Sequence, residues 1–166
     1  FWRETEALAP IMRDIHRTFM MTGARRTSVL TLGRGDVDLD RRVLRFGHMK
    51  TGGQLLFPMG PYLTDMLAKR LKEDEPLNSR WLWPSPGSAL GHVREPKRDN
   101  IPSPHVLRHH ARTLMIAAGV PYAESALLLG HRLPGASGGY VHPEHLVEAL
   151  RPHAEAYERL ILDQAI

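Results

Sequence analysis

Leu8, Ile11, Met12, Ile15 and Phe19 recur at steps of three and four, which marks one buried helical face. The pattern stops at Thr22-Gly23, where a glycine can close a helix in the left-handed conformation. A short second helix is predicted near residues 27–32. The period then changes: residues 37–39, 43–46 and 55–57 are brief apolar runs separated by Asp40-Arg41 and by Lys50-Thr51-Gly52-Gly53, which is turn chemistry. They predict a small three-stranded antiparallel sheet. Pro61 opens a helix with Leu63, Met66, Leu67 and Leu71 on one face, and the charged run 72–75 ends it.

Trp81-Leu82-Trp83 is an apolar island, and the Pro-, Ser- and Gly-rich stretch 84–104 follows it. That length is unusual for a structureless connection, so residues 92–95 are expected to be ordered or functional. Ser103 as N-cap and Pro104 at the first helical position start a helix with Leu107, Ala111, Leu114 and Ala118 inward, closed by Gly119. Pro121 opens a shorter helix running to residues 127–129, closed by Gly130. The tail, 144–166, is helical in pattern with Leu146, Leu150, Leu160 and Ile161 apolar, and Pro152 is expected to break or kink it. The fold class is α+β, mostly α-helical, in one domain without internal repeats.

At 166 residues and 42% hydrophobic the chain can bury one ordinary core. It has no Cys, which excludes a disulfide framework and a cysteine-ligated zinc. No apolar run approaches the ~20 residues of a membrane span, and no basic stretch leads into an apolar one at the N-terminus. The chain reads as soluble and cytoplasmic, with no membrane partner. It opens at Phe1 inside a helical pattern and without Met, and so reads as part of a longer protein. Net charge is +4, unevenly placed: from Gly23 to Lys50 there are seven Lys/Arg against three Asp, whereas from Pro143 to Ile166 five acidic residues face Arg151 and Arg159. A polyanion is drawn to the middle of the chain and away from its tail.

The candidate chemistry lies in the second half. His105 and Arg108 are three apart in the first turn of one helix, so they share a face where backbone N–H groups favour an anion. Arg108 can hold phosphate oxygens in a bidentate fork at any working pH. His131, after Gly130, stands at the end of the next helix, from which its ring can reach back. Tyr140 follows Gly135-Ala136-Ser137-Gly138-Gly139, a flexible approach for a nucleophile. A phenol has an unperturbed pKa near ~10 and needs neighbouring cations and a proton acceptor to attack at neutral pH.

These motifs resemble the tyrosine recombinases, the phage integrase family. The resemblance rests on Thr22-Gly23-Ala24-Arg25, Lys50 in Met49-Lys50-Thr51-Gly52, His105-Val106-Leu107-Arg108, Gly130-His131 and Tyr140, in that order, with a step of 26 from His105 to His131. It runs from about Phe19 to Tyr140. Ser28 stands where the family commonly has an acidic residue, and Arg34 where an aromatic one is frequent. The resemblance implies a catalytic domain of the DNA breaking-rejoining type spanning 1–166, with a separate N-terminal core-binding domain outside this chain. It implies site-specific recombination, integrating or excising a mobile element, and a place beside the nucleoid.

By the same resemblance, Tyr140 attacks the scissile phosphate of double-stranded DNA, the 5′-oxygen leaves, and a 3′-phosphotyrosyl enzyme forms, with neither metal nor ATP required. Arg25 and Arg108 would neutralise the non-bridging oxygens, Lys50 would protonate the departing oxygen, His105 would take the Tyr140 proton and His131 would hydrogen-bond the phosphate. A homo-tetramer on DNA with exchange of the C-terminal helix is the implied assembly, packing of that helix in cis being the alternative. His109 and His110 are left outside the catalytic set.

Taken singly, each residue has an ordinary explanation: a turn lysine, a helix-start arginine, a core histidine. Order and spacing together carry the resemblance. Three other readings remain. A non-catalytic helix-turn-helix module fits residues 107–129 but leaves Arg25, Lys50 and Tyr140 unexplained. A metal hydrolase would use His105 and His109 with His131, His142 or His145, against the repulsion of Arg108. A type IB topoisomerase shares the same chemistry and a similar residue set, although the His-x-x-Arg helix and the Gly-His spacing favour the recombinase.

Overall fold

The computed structural model describes residues 1–47, 54–131 and 143–165. The N-terminal apolar pattern forms two helices, α1 (Trp2–Glu6) and α2 (Pro10–Thr22). The division falls at Pro10, which has no N–H to continue a helix but suits its first position. Met12, Ile15 and Phe19 of α2 are buried, and Gly23 closes it at φ 60°. Helix α3 (Arg26–Leu30) starts one residue earlier than its pattern suggests.

Strands β1 (Val37–Asp38), β2 (Val43–Phe46) and β3 (Leu55–Pro58) form the expected antiparallel sheet in the order β1-β2-β3. Val43 pairs with Pro58 and Phe46 with Leu55. Residues 47–54 therefore join β2 to β3. Helix α4 (Pro61–Glu73) buries Leu63 and Leu67 as its pattern requires, with Met66 and Leu71 half-buried. It also buries Arg70, whose Nε and Nη2 donate to Asp14 Oδ2 at 2.9 and 2.6 Å and tie α4 to α2. Asp14 Oδ1 takes a further bond from Arg13 at 2.9 Å.

The long segment after Trp83 holds neither helix nor strand, yet it is pinned along its length. Trp83 Nε1 donates to the Val29 carbonyl at 2.7 Å, and the buried His92 packs edge-on against Trp81. Pro96 O lies 2.7 Å from His16 Nε2, and Glu95 pairs with Arg26 at 2.8 Å. The expectation of order around 92–95 is met.

Helix α5 (Pro104–Ala117) begins with Ser103 Oγ accepting from Val106 N at 3.4 Å and buries Leu107, Ala111 and Met115. Helix α6 (Tyr122–Leu128) follows, and Gly130 takes φ 69° after it. Helix α7 (Pro143–Asp163) continues through Pro152, so of the break or kink expected there the break does not occur. Val147, Leu150, Ala154, Tyr157 and Ile161 are all buried, a 3.6-residue stripe on both sides of the proline. Burial of that stripe outweighs the ~3 kcal/mol that an interior proline costs.

Helix α7 packs on β3, α5 and α6. The Tyr157 hydroxyl donates to the Met20 carbonyl, and the Glu158 carboxylate accepts from Tyr62 N at 2.8 Å and Leu63 N at 3.1 Å, capping α4 from outside. Gly60 makes this approach possible: a Cβ there would stand 2.4 Å from the carboxylate. Among the described residues no helix is long and apolar enough to cross a membrane.

Candidate functional site

Gly23 joins the first helices to the site. Its left-handed backbone ends α2, and a Cβ on it would meet Leu129 Cδ2 at 2.6 Å and Ala111 Cβ at 3.0 Å. Its carbonyl accepts from Arg108 Nη1 at 2.6 Å. The next turn of chain makes Arg25 the N-cap residue of α3, half-buried beside Arg108.

Arg108 is held at three points. Besides Gly23, its Nη2 donates to the Leu129 carbonyl at 2.9 Å and lies 2.8 Å from His131 Nε2. A guanidinium has five N–H donors and no acceptor, so these three bonds leave two N–H groups for a ligand. The same rule sets the His131 tautomer: Nε2 must accept, which puts the proton on Nδ1 and leaves the ring neutral. Burial lowers the His131 pKa, and Arg108, Arg112 and Arg25 lower it further. Burial also pulls Arg108 down to about 10, with help from Arg25 and Arg112, which still leaves it charged at neutral pH.

His105 is exposed in the first turn of α5, its Nε2 3.0 Å from His109 Nε2 with the rings edge to face. One of these nitrogens must present a lone pair to the other's N–H. Arg25, Arg26, His105, Arg108, His109, Arg112, Leu129 and His131 are among the residues lining one open cleft of about 500 Å³. Among the described residues no carboxylate lines it.

Four of the six sequence-derived residues, Arg25, His105, Arg108 and His131, thus share one cleft. Lys50 and Tyr140 lie outside the described residues. Lys50 belongs to the β2–β3 connection, whose closing residues Phe46 and Leu55 border the same small cavity as Arg25 and Arg108. Tyr140 belongs to the connection between His131 and α7. Ser28, in the place of the family's acidic residue, is buried and borders that small cavity too. Arg34 donates to the Leu71 carbonyl at 2.7 Å, so it serves packing away from the cleft.

His109, left outside the catalytic set, lines the cleft, and so does Arg112, which the sequence reading did not single out. Both follow from helical spacing, being four residues after His105 and Arg108 respectively, and therefore on the same face. Among the described residues no group of three or more metal-ligating side chains comes together, and His131 is engaged by Arg108.

The Phage integrase family model matches residues 11–145, and the chain belongs to that family. The integrase from mycobacterium phage Brujita shares its fold with a TM-score of 0.66 at 18% sequence identity. That likeness covers 95% of this chain and 55% of the Brujita integrase chain, so this chain spans little more than half of its relative's length. No curated protein matches the chain.

Proposed function

We propose that this chain is the catalytic domain of a tyrosine site-specific recombinase, which cleaves and rejoins double-stranded DNA through a 3′-phosphotyrosyl intermediate. The observation that carries the reading is the cleft itself: Arg25, Arg108, His105 and His131 converge from α3, α5 and the end of α6 on a space lined by no carboxylate among the described residues. Such a site suits a phosphodiester. Arg108 is preorganised by two backbone carbonyls and His131, so its two remaining donors are aimed before DNA arrives and need no reorganisation as charge builds.

In the proposed step the Tyr140 oxygen attacks phosphorus as its proton passes to His105, and His109 is placed to share that proton. The bond from phosphorus to the 5′-oxygen breaks, and Lys50 supplies the proton that the leaving oxygen takes up. Arg25 and Arg108 neutralise the non-bridging oxygens, with His131 holding Arg108 and offering its Nδ1–H. Religation runs the same steps in reverse with a new 5′-hydroxyl, so no metal or ATP is consumed. The physiological role is integration or excision of a mobile element.

We also propose a homo-tetramer on DNA with exchange of α7, together with a core-binding domain elsewhere in the protein. Contacts that α7 makes in cis can be remade on a neighbour at little net cost. The connection that would carry it across, residues 132–142, is the one that holds Tyr140.

A nicked suicide substrate, from which the released strand is lost, tests the chemistry. The intact protein is expected to accumulate a denaturant-resistant protein–DNA adduct with chelator present. Absence of an adduct on DNA carrying its recombination site would refute the reading, and an adduct that forms only with added metal would replace it with metal-dependent cleavage.

A further inference from the structure

Arg112 has no place in the chemistry above, yet it stands in the same cleft. It lies one helical turn after Arg108, about 6 Å further along α5, and lines the cleft with Arg25, Arg108 and His131. Its guanidinium carbon sits 4.7 Å over the Tyr122 ring, at the start of α6. This cation–π contact restrains the guanidinium, whose N–H donors can still reach an anion. Tyr122 is itself 67% exposed, so the contact lies at the surface, where a ligand can reach Arg112.

Charge makes the case more specific. Of the four arginines in the cleft, only Arg26 has an acidic partner among the described residues, Glu95 at 2.8 Å. Residues 48–53 and 132–142 contain no Asp or Glu, so neither segment can supply one to Arg25, Arg108 or Arg112. Three uncompensated guanidinium groups therefore face one cleft. A single phosphodiester carries one negative charge, and two as its transition state forms. One positive charge is left over, and it lies at the Arg112 end, displaced along α5 from the Arg108 fork.

We propose that Arg112, restrained by Tyr122, binds the phosphate next to the scissile one, so that the cleft takes two consecutive phosphates of a DNA strand. Arg112 is then a positioning residue: it sets the register of the strand so that the scissile phosphate meets Arg108. The proposal rests on the recombinase reading for its substrate, but its test does not need cleavage.

Two measurements decide it. The first is the slope of log Kd against log salt for a mixed-sequence 30-base-pair duplex. Removing one phosphate contact in Arg112→Gln is expected to reduce the slope by about one and to weaken binding about tenfold at low salt. Arg112→Lys should keep the slope. Tyr122→Leu, at an exposed side chain and with the charge intact, should keep the slope but weaken binding a few-fold by freeing the guanidinium.

The second compares the dinucleotide pTpT with the mononucleotide pT in NMR titrations. The wild-type preference for pTpT is expected to shrink about tenfold in Arg112→Gln. An unchanged salt slope, or an unchanged pTpT to pT ratio, in a folded Arg112→Gln protein overturns the proposal, and if that variant unfolds, a wild-type duplex affinity in Tyr122→Leu does so. Loss of adduct formation in the wild type would sink the recombinase reading while leaving these binding outcomes to be judged on their own.

Discussion

Gly23→Ala tests how closely helix termination and the site are coupled. The substitution places a Cβ on a residue at φ 60°, which costs about 1–2 kcal/mol for an L side chain. The same Cβ would stand 2.6 Å from Leu129 Cδ2 and 3.0 Å from Ala111 Cβ. Leu129 has a rotatable end but is buried, and Ala111 cannot yield unless α5 moves, so overpacking adds about 1–3 kcal/mol. Restricting the unfolded chain returns about 0.4–1 kcal/mol. The net loss is about 2–4 kcal/mol, which for a chain of this size lowers Tm by about 5–15 °C.

Gly119 supplies the control. It has φ 79° and nothing within 4 Å of its hypothetical Cβ, so Gly119→Ala should carry the conformational cost alone, about 1 kcal/mol and a few degrees. Thermal unfolding followed by circular dichroism separates the two. The Gly23 carbonyl is also one of Arg108's three anchors, so adduct formation in Gly23→Ala should fall at least tenfold at temperatures where the protein is folded, while Gly119→Ala keeps wild-type adduct yield. Equal Tm losses in the two variants, or a fully active Gly23→Ala, would refute the reasoning.

Further outcomes follow from the same contacts. Arg108→Lys keeps the charge but cannot reach two carbonyls and His131 together, and adduct formation under single-turnover conditions should fall by about 10²–10³ with Tm little changed. Asp14→Asn takes from the buried Arg70 guanidinium its shortest carboxylate contact while Glu73 and Asp74 remain, and should cost about 1.5–3 kcal/mol in denaturant unfolding, against little loss for an exposed pair such as Arg41–Glu144. Burial raises the Glu158 pKa in the folded state, opposed by its bonds from the Tyr62 and Leu63 amides. Its contribution is therefore fully present below the reference value of 4.5 and declines as pH rises through the folded value, so the stability of wild type relative to Glu158→Gln should fall over that interval and level off above it. A relative stability that rises over that interval would mean the amide bonds outweigh burial.

Much of the fold was legible because its elements are punctuated. Gly23, Pro61, Ser103-Pro104, Gly119 and Gly130 mark helix ends through their own backbone preferences, and the sheet shows in three short apolar runs with turn residues between them. Pro10 carried the same kind of local signal, and the division of α1 from α2 is its result. Pro152 shows the opposite case: its local preference gives way to the stripe from Val147 to Ile161, which only the assembled core creates. The bonds from Arg70 to Asp14 and from the start of α4 to Glu158 join groups 56 residues or more apart, which no local pattern shows. In the site, Arg25, His105, Arg108 and His131 were recognisable by motif and spacing, whereas the carbonyl anchors of Arg108 exist only once α2 and α6 converge on α5. His109 and Arg112 needed no more than the helical repeat applied one turn further.

The central claim is that Tyr140 is the group to which DNA becomes joined. The most direct measurement is to trap the adduct on a suicide substrate, digest protein and DNA, and sequence the modified peptide by mass spectrometry. The account predicts one modified residue, Tyr140, joined through its phenolic oxygen to a 3′-phosphate, and no adduct from Tyr140→Phe. A 5′-linkage, a modified residue other than Tyr140, or an adduct that survives in Tyr140→Phe would contradict it.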